Sequence, residues 1–323
     1  MKAIRFDHTG GPEVLKLVDI ELEDPAAGEV QLRHTAIGLN FVDTYYRSGL
    51  YPAQLPSGLG NEAAGVVTKL GKGVKNLKVG DRVAYGTGPL GAYQEARNFP
   101  ANRLIKLPKE ISDEVAAGMT LKGMTARYLL RATYKVKAGD TILVHAAAGG
   151  VGLIMGQWAK ALGAKAIGTV GSDEKAALAK KHGYAHVINS STEDIVKRVR
   201  EITKGKGVPV VYDGVGQATF NASLDSLAPL GLLASFGNAS GAVSAFNLGI
   251  LAGKGSLYVT RPTLGTYVAR DEDFAATARD LVNVVKSGKV KIRINQRYKL
   301  ADAAKAHEDL QARRTTGATV LIP

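Results

Sequence analysis

The sequence predicts an α/β chain in which a doubly wound parallel sheet follows a mostly β part. Three observations predict it: six short apolar runs alternating with helical segments, a glycine-rich hexamer opening the first of those helices, and a Gly- and Pro-punctuated opening stretch of short alternating strands. At about 150 residues per domain, a length of 323 suggests two domains. The change of pattern assigns 1–122 to the β part, 123–260 to the sheet, and 261–323 to a C-terminal segment returning to the first part.

In the first part, residues 29–34 alternate polar and apolar, which suits a half-buried strand. Residues 65–70, followed by the turn Gly71-Lys72-Gly73, and residues 79–83 repeat that strand–turn rhythm. In the second part the apolar runs are 141–145, 166–170, 186–189, 208–213, 232–236 and 256–260. Between the first two, Val151, Ile154, Trp158 and Leu162 recur at helical spacing, and Gly163 stops the helix. The next helix has Ser172 as its N-cap, Asp173 and Glu174 in its first turn, and Lys180-Lys181-His182-Gly183 at its end. Phe220, Leu224 and Leu227 keep the period in a later one. The tail supplies a helix over 271–286 and a strand over 291–294.

The hexamer Ala147-Ala148-Gly149-Gly150-Val151-Gly152 fits G-x-G-x-x-G with alanine in the first position. A pyrophosphate needs to approach bare backbone at a helix N-terminus, where open N–H groups and the positive end of the dipole stabilise anionic charge. A Cβ at Gly149 or Gly150 obstructs that approach, and Gly152 lets the helix pack on the strand. The position after strand, before helix and inside a βαβ array makes this a dinucleotide site. An NAD-preferring site carries Asp or Glu at the tip of the second strand. Here that tip reads Thr169-Val170-Gly171-Ser172, and Lys175 follows in the first helical turn. Ser172, the helix N–H groups and Lys175 suit a 2′-phosphate, so NADPH is favoured over NADH. Asp173 and Glu174 count against it if either turns toward a ribose.

The chain has 42 Lys plus Arg, 29 Asp plus Glu, a net charge of +13 and no cysteine. Disulfides, thiolate zinc sites and cysteine nucleophiles are thereby excluded. No apolar run reaches about 18 residues and the N-terminus lacks an apolar core, so neither a membrane span nor a secretory signal is expected and a cytoplasmic address is. The basic residues are mixed with acids, as in Lys197-Arg198-Val199-Arg200-Glu201, which reads as a solvated surface attractive to a phosphorylated ligand. Nucleic-acid binding or a structural role is the reading of a different class, and it requires steep salt dependence.

Residues 40–51 (Asn-Phe-Val-Asp-Thr-Tyr-Tyr-Arg-Ser-Gly-Leu-Tyr), 59–65, 146–152 and 236–241, in that order, resemble the NADPH:quinone oxidoreductases, the zeta-crystallin-like branch of the medium-chain dehydrogenase/reductases. The resemblance runs from the first strand to Ala318–Ile322. It implies a GroES-like, mostly β catalytic domain, a Rossmann domain, a homodimer, and reduction of a small quinone by NADPH. It also implies an alternative on the same scaffold, reduction of an alkenal or enone double bond. Zinc-dependent relatives place Cys and His ligands near the positions of Asn40 and Asn61, so the resemblance implies no zinc here.

Residue by residue, the resemblance puts Asn40 at the nicotinamide end and in the substrate pocket. Tyr45 and Tyr51 become pocket hydroxyls for a quinone oxygen, and Thr125 a contact near the nicotinamide ribose. Gly149, Gly150 and Val151 would hold the pyrophosphate, and Gly171, Ser172 and Lys175 the 2′-phosphate. Gly214, Gly237, Asn238 and Ser240 follow the fourth and fifth strands along the cofactor, and Arg261 and Arg313 match arginines expected at the cleft. Ser190 stands where family members carry a Tyr beside the adenosine end, which weakens the expected NADPH preference. Asp43 reads as an i,i+4 partner of Arg47, His145 as a satisfied core histidine, and Glu62 as a hydrogen-bonded buried carboxylate. Adjacent Tyr45 and Tyr46 cannot point the same way; Tyr45 is the pocket choice and Tyr46 the wall.

Overall fold

The computed structural model describes residues 1–323, and the chain divides into two compact units. The first comprises Met1–Met124, Val268–Lys286 and Ile292–Pro323; the second comprises Thr125–Tyr267 and Ser287–Lys291. In chain order the first part supplies β1 (Lys2–Phe6), β2 (Lys16–Asp19), β3 (Glu29–Leu39), α1 (Phe41–Ser48), β4 (Ser57–Gly58), β5 (Glu62–Leu70), β6 (Arg82–Tyr85), β7 (Ala96–Pro100), β8 (Ile105–Lys106) and α2 (Asp113–Tyr128). The central run supplies β9 (Thr141–Val144), α3 (Gly150–Ala161), β10 (Lys165–Val170), α4 (Asp173–Lys181), β11 (His186–Asn189), α5 (Ile195–Ile202), β12 (Val208–Asp213), α6 (Phe220–Ser226), β13 (Leu227–Ser235), α7 (Gly249–Gly253), β14 (Tyr258–Thr260) and α8 (Leu264–Tyr267). The tail adds α9 (Asp271–Lys286), β15 (Ile294–Lys299), α10 (Ala303–Gln311) and β16 (Ala318–Ile322).

The second unit is the doubly wound sheet. Its strands run in the order β11-β10-β9-β12-β13-β14, and every pairing is parallel. Numbered from β9, that order is 3-2-1-4-5-6, with its switch point between β9 and β12. Both faces are covered, so Ile142, Leu143 and Val144 are all fully buried and the strand reads as a continuous apolar run. Leu143, Ile167, Ile188, Val211, Phe220, Leu224 and Leu233 form its core.

The first unit is mostly β. A sheet ordered β15-β16-β3-β5-β6-β8, with β7 also on β3, lies beside the small sheet β2-β1-β4. The long β3 organises it, pairing antiparallel with β5, β7 and β16. Its core joins Phe6, Leu32, Ile37, Val67, Tyr85 and Phe99.

Three element expectations need correction. The tail strand is Ile294–Lys299 and not 291–294, because pairing with β16 through a bulge between Ile294 and Gln296 selects the later residues from an alternating stretch. Leu227 opens β13 and does not close the preceding helix, which ends at Ser226. The strand expected over 79–83 begins at Arg82, since Gly80 adopts a φ of +89° in the turn before it. No helix is long and apolar enough to cross a membrane.

Candidate functional site

The phosphate-binding turn joins β9 to α3, and its shape begins at a residue the motif does not mark. Ala146 is left-handed, with a φ of 52°, an uncommon state for a residue bearing a Cβ. That conformation turns the Ala146 carbonyl back across the turn, where it accepts from Gly149 N–H at 2.9 Å. A Cβ on Gly152 would overlap this oxygen, and one on Gly149 would lie 3.2 Å from it with no other atom near. Gly152 is thus required by the protein's own packing, while Gly149 meets only the Ala146 carbonyl beside the helix N-terminus. The first N–H groups of α3 have no intrahelical acceptor, so the turn fits a pyrophosphate.

The other expected cofactor residues of the second unit follow the carboxyl ends of successive strands. Gly171, Ser172 and Lys175 follow β10, Ser190 follows β11, Gly214 follows β12, Gly237, Asn238 and Ser240 follow β13, and Arg261 follows β14. Ligands of open parallel sheets lie along this edge. Ser172 caps α4 by accepting Lys175 N–H at 3.3 Å, and a Cβ on Gly171 would meet nothing nearer than 3.8 Å. Asp173 accepts from Asn189 Nδ2 at 2.8 Å, so this acid is engaged by the end of β11. Ser190 Oγ donates to the Val170 carbonyl, and Ser240 Oγ donates to Val215 O while accepting Ala218 N–H. Arg261 donates to the carbonyls of Ser235 and Gly237. Gly214 and Gly237 approach so closely that a Cβ on Gly237 would overlap the Gly214 carbonyl oxygen. Thr125 is buried on α2.

His145 is a satisfied core histidine: Nδ1 meets Thr169 Oγ1 at 2.9 Å and Nε2 meets Ser223 Oγ at 3.0 Å. Burial holds its pKa below the ordinary histidine value. Ser223 Oγ also donates to Asp213, which in addition accepts from Val215 N, Gly216 N and Thr219 Oγ1.

The first unit holds Asn40, Tyr45, Tyr51 and Arg313. Asn40 follows β3 as the N-cap of α1 and is 4% exposed. Its Nδ2 donates to Glu62 Oε2 at 2.8 Å, and Glu62 also accepts Lys122 Nζ at 2.9 Å and Leu121 N at 2.8 Å. Glu62 is fully buried, opposite Gly38 in the β3–β5 register, and a Cβ on Gly38 would overlap its carboxylate. On the other side, Asp43 Oδ2 accepts Asn40 N at 2.8 Å and Tyr93 Oη at 2.9 Å, and Oδ1 accepts Asn61 Nδ2 at 3.3 Å. Burial pushes the Asp43 pKa up to about 6, against the downward pull of those three bonds and of the Lys122 charge.

The expected Asp43–Arg47 pair does not form. Arg47 instead donates to Gly10 O, His307 Nδ1 and Gln311 Oε1, because α10 packs against α1 and offers the last two acceptors. Tyr45 is buried, Tyr46 is half-buried, and the Tyr51 ring meets both edge-on, at 5.2 and 5.7 Å. Tyr46, Pro52, Leu55 and Leu90 line an open cavity of about 530 Å³. Arg313 lies past the end of α10, left-handed at a φ of 59°.

Neither Tyr93, Lys122 nor His307 was legible as a partner of this site. Each reaches it from a segment distant in sequence, so no spacing marks it. Zinc does not fit here. Asn40 and Asn61 present neutral amides already bonded to Glu62 and Asp43, and an ammonium sits on Glu62. No three His, Cys, Asp or Glu side chains gather elsewhere in a way that could hold a metal.

Residues 26–109 match the alcohol dehydrogenase GroES-like domain, and residues 150–283 match the zinc-binding dehydrogenase family. The chain is 58% identical to the quinone oxidoreductase of Pseudomonas aeruginosa, covering 100% of this chain and 99% of that one. It is similar, with a TM-score of 0.98 and 53% identity over the full length of both chains, to Escherichia coli quinone oxidoreductase crystallised in complex with NADPH. A 2-haloacrylate reductase from a Burkholderia species is 46% identical over 97% of this chain and 96% of its own length.

Proposed function

The chain belongs to the quinone oxidoreductases of the medium-chain dehydrogenase/reductase superfamily, and from that premise we propose that it reduces small quinones with NADPH, without zinc. The reaction balances as NADPH plus quinone plus one proton giving NADP⁺ plus hydroquinone. NADPH, when bound, supplies the hydride. The protein's own part is to bind, to orient and to exclude water, because a quinone is already a strong acceptor and positioning supplies most of what is needed.

The single observation that carries the reading is the Ala146–Gly152 turn, whose left-handed alanine and bare Gly149 leave the α3 N-terminus open to a pyrophosphate. Gly150 and Val151 complete that seat, and Gly171, Ser172 and Lys175 take the 2′-phosphate; engagement of Asp173 by Asn189 supports this over a ribose-binding acid. Ser190, Gly214, Gly237, Asn238, Ser240, Arg261, Thr125 and Arg313 are the further cofactor contacts of this reading. Asn40 borders the nicotinamide, and Tyr45 and Tyr51 hydrogen-bond the quinone oxygens, the proton coming from solvent or a tyrosine hydroxyl.

A second reading, reduction of an activated carbon–carbon double bond, is favoured by the similarity to the 2-haloacrylate reductase. We assign the protein to the zeta-crystallin-like branch, as a cytoplasmic homodimer. The outer strand β14, on which Tyr258 is 60% exposed, supports a second copy as the partner.

The test is NADPH oxidation with 1,4-benzoquinone and with a 2-alkenal, and NADP⁺ reduction with an alcohol, each with and without a chelator. Chelator-insensitive quinone turnover exceeding alkenal turnover supports the main reading. Comparable alkenal turnover supports the second, and turnover of alcohols alone, lost with chelator, contradicts both.

A further inference from the structure

Behind Asn40 and Asn61 lies a chain of buried side chains that the proposed reaction does not use. Arg47 Nη1 lies 3.1 Å from His307 Nδ1, His307 Nε2 lies 3.1 Å from Tyr93 Oη, and Tyr93 Oη lies 2.9 Å from Asp43 Oδ2. Asp43 and His307 are fully buried, and Arg47 and Tyr93 nearly so. The direction of every bond follows from one group. A guanidinium only donates, so His307 Nδ1 accepts and the proton of the neutral ring sits on Nε2. Nε2–H therefore donates to Tyr93 Oη, and the tyrosine proton is left to point at Asp43. Asp43 is met by donors alone: the Asn40 and Tyr93 bonds on one oxygen, Asn61 Nδ2 on the other.

We propose that Arg47, His307 and Tyr93 form a one-way hydrogen-bond relay that makes Asp43 a positioning residue, holding the Asn61 amide with its nitrogen toward Asp43 and its oxygen released for the substrate side. This rests on the reading of Asn40 and its neighbours as the quinone site. Protonated Asp43 needs an acceptor. Tyr93 Oη already accepts from His307, which Arg47 holds in that tautomer, so accepting from Asp43 as well would strand the tyrosine proton without an acceptor. Only Asn61 can turn over, half-buried and held by a single 3.3 Å bond. The charge state of Asp43 therefore decides which end of the Asn61 amide is presented. The titratable groups that act on Asp43 are Tyr46 from α1, Lys122 from α2, and Tyr93; His307 and Arg47 stand behind Tyr93, and Glu62 stands behind Asn40. Burial holds the His307 pKa down at about 3, so Asp43 is the group that titrates near neutrality.

The experiment follows the Asn61 side-chain amide by ¹⁵N NMR from pH 5 to 8 in the full chain without substrate, and then kcat and KM for 1,4-benzoquinone over the same range. Wild type is expected to show an amide transition near pH 6, and kcat/KM falling about tenfold per unit below it. Tyr93→Phe removes one donor to the carboxylate and moves both midpoints up by about one unit. Asp43→Asn abolishes both transitions. An Asn61 amide that does not titrate in wild type overturns the relay whatever the enzyme does. So does a folded Tyr93→Phe variant with the wild-type midpoint, or an Asp43→Asn variant that keeps its acid limb. Loss of quinone turnover in wild type with the amide transition intact counts against the proposed function alone.

Discussion

Each unit buries one aspartate and one histidine in a hydrogen-bonded cluster, and the two clusters are built on opposite plans. In the second unit, Asp213 is held by two backbone N–H groups and two hydroxyls, all within ten residues of it. No side-chain charge takes part. In the first unit, Asp43 and Glu62 are held largely by side chains from other segments, Tyr93, Asn61, Asn40 and Lys122, with Arg47 and His307 behind them. The local plan tolerates loss of a donor because several neighbours remain. The dispersed plan fixes orientations at the nicotinamide end of the proposed site, and each of its members carries more of the load.

The largest effect that could break this comparison is Lys122→Met. Glu62 would keep only Asn40 and Leu121 as donors in a fully buried position, and breaking a buried ion pair costs about 3–5 kcal/mol. Urea unfolding checks it; a loss below about 1 kcal/mol would show the first unit to be as redundant as the second. Gly152→Val is expected to cost about 1–3 kcal/mol by overpacking against the Ala146 carbonyl, and NADPH binding should fall with it in a fluorescence titration.

A subtler contrast lies in pH. The His307 and His34 pKa values are held at about 3 and about 4 by burial, below the unfolded value of about 6.5. The unfolded chain then binds more protons, so stability falls as pH drops from about 6.5 toward those values, by about 1.4 kcal/mol per unit per histidine. Asp43 acts with the opposite sign. Its raised pKa favours the fold at low pH, and that contribution is lost as pH rises from about 4 through about 6. His307→Gln should therefore flatten the acid side of a stability–pH curve by about 1.4 kcal/mol per unit, read from urea midpoints at several pH values. The smallest effect is Thr219→Ala, about 1 kcal/mol, because Asp213 retains three other donors.

The same contrast explains what the sequence disclosed. The phosphate-binding turn was legible because strand, glycines and helix are contiguous, and the Ser172 cap lies within three residues of the N–H it accepts. The dispersed cluster was not. His307 reaches Arg47 across 260 residues of chain, and Tyr93 reaches Asp43 across 50. The Asp43–Arg47 expectation failed for this reason: helical spacing brings two residues near, but acceptors on α10 compete for the guanidinium. Ala146 escaped notice because a strained alanine has no compositional mark.

The most direct measurement of the central claim is a calorimetric titration of wild type and Lys175→Ala with NADPH and with NADH. NADPH should bind wild type more tightly, and the variant should lose about 1.5–3 kcal/mol of NADPH binding through one charge-assisted hydrogen bond, with NADH nearly unchanged. Equal losses for both cofactors, or no heat of binding from either, would contradict the account.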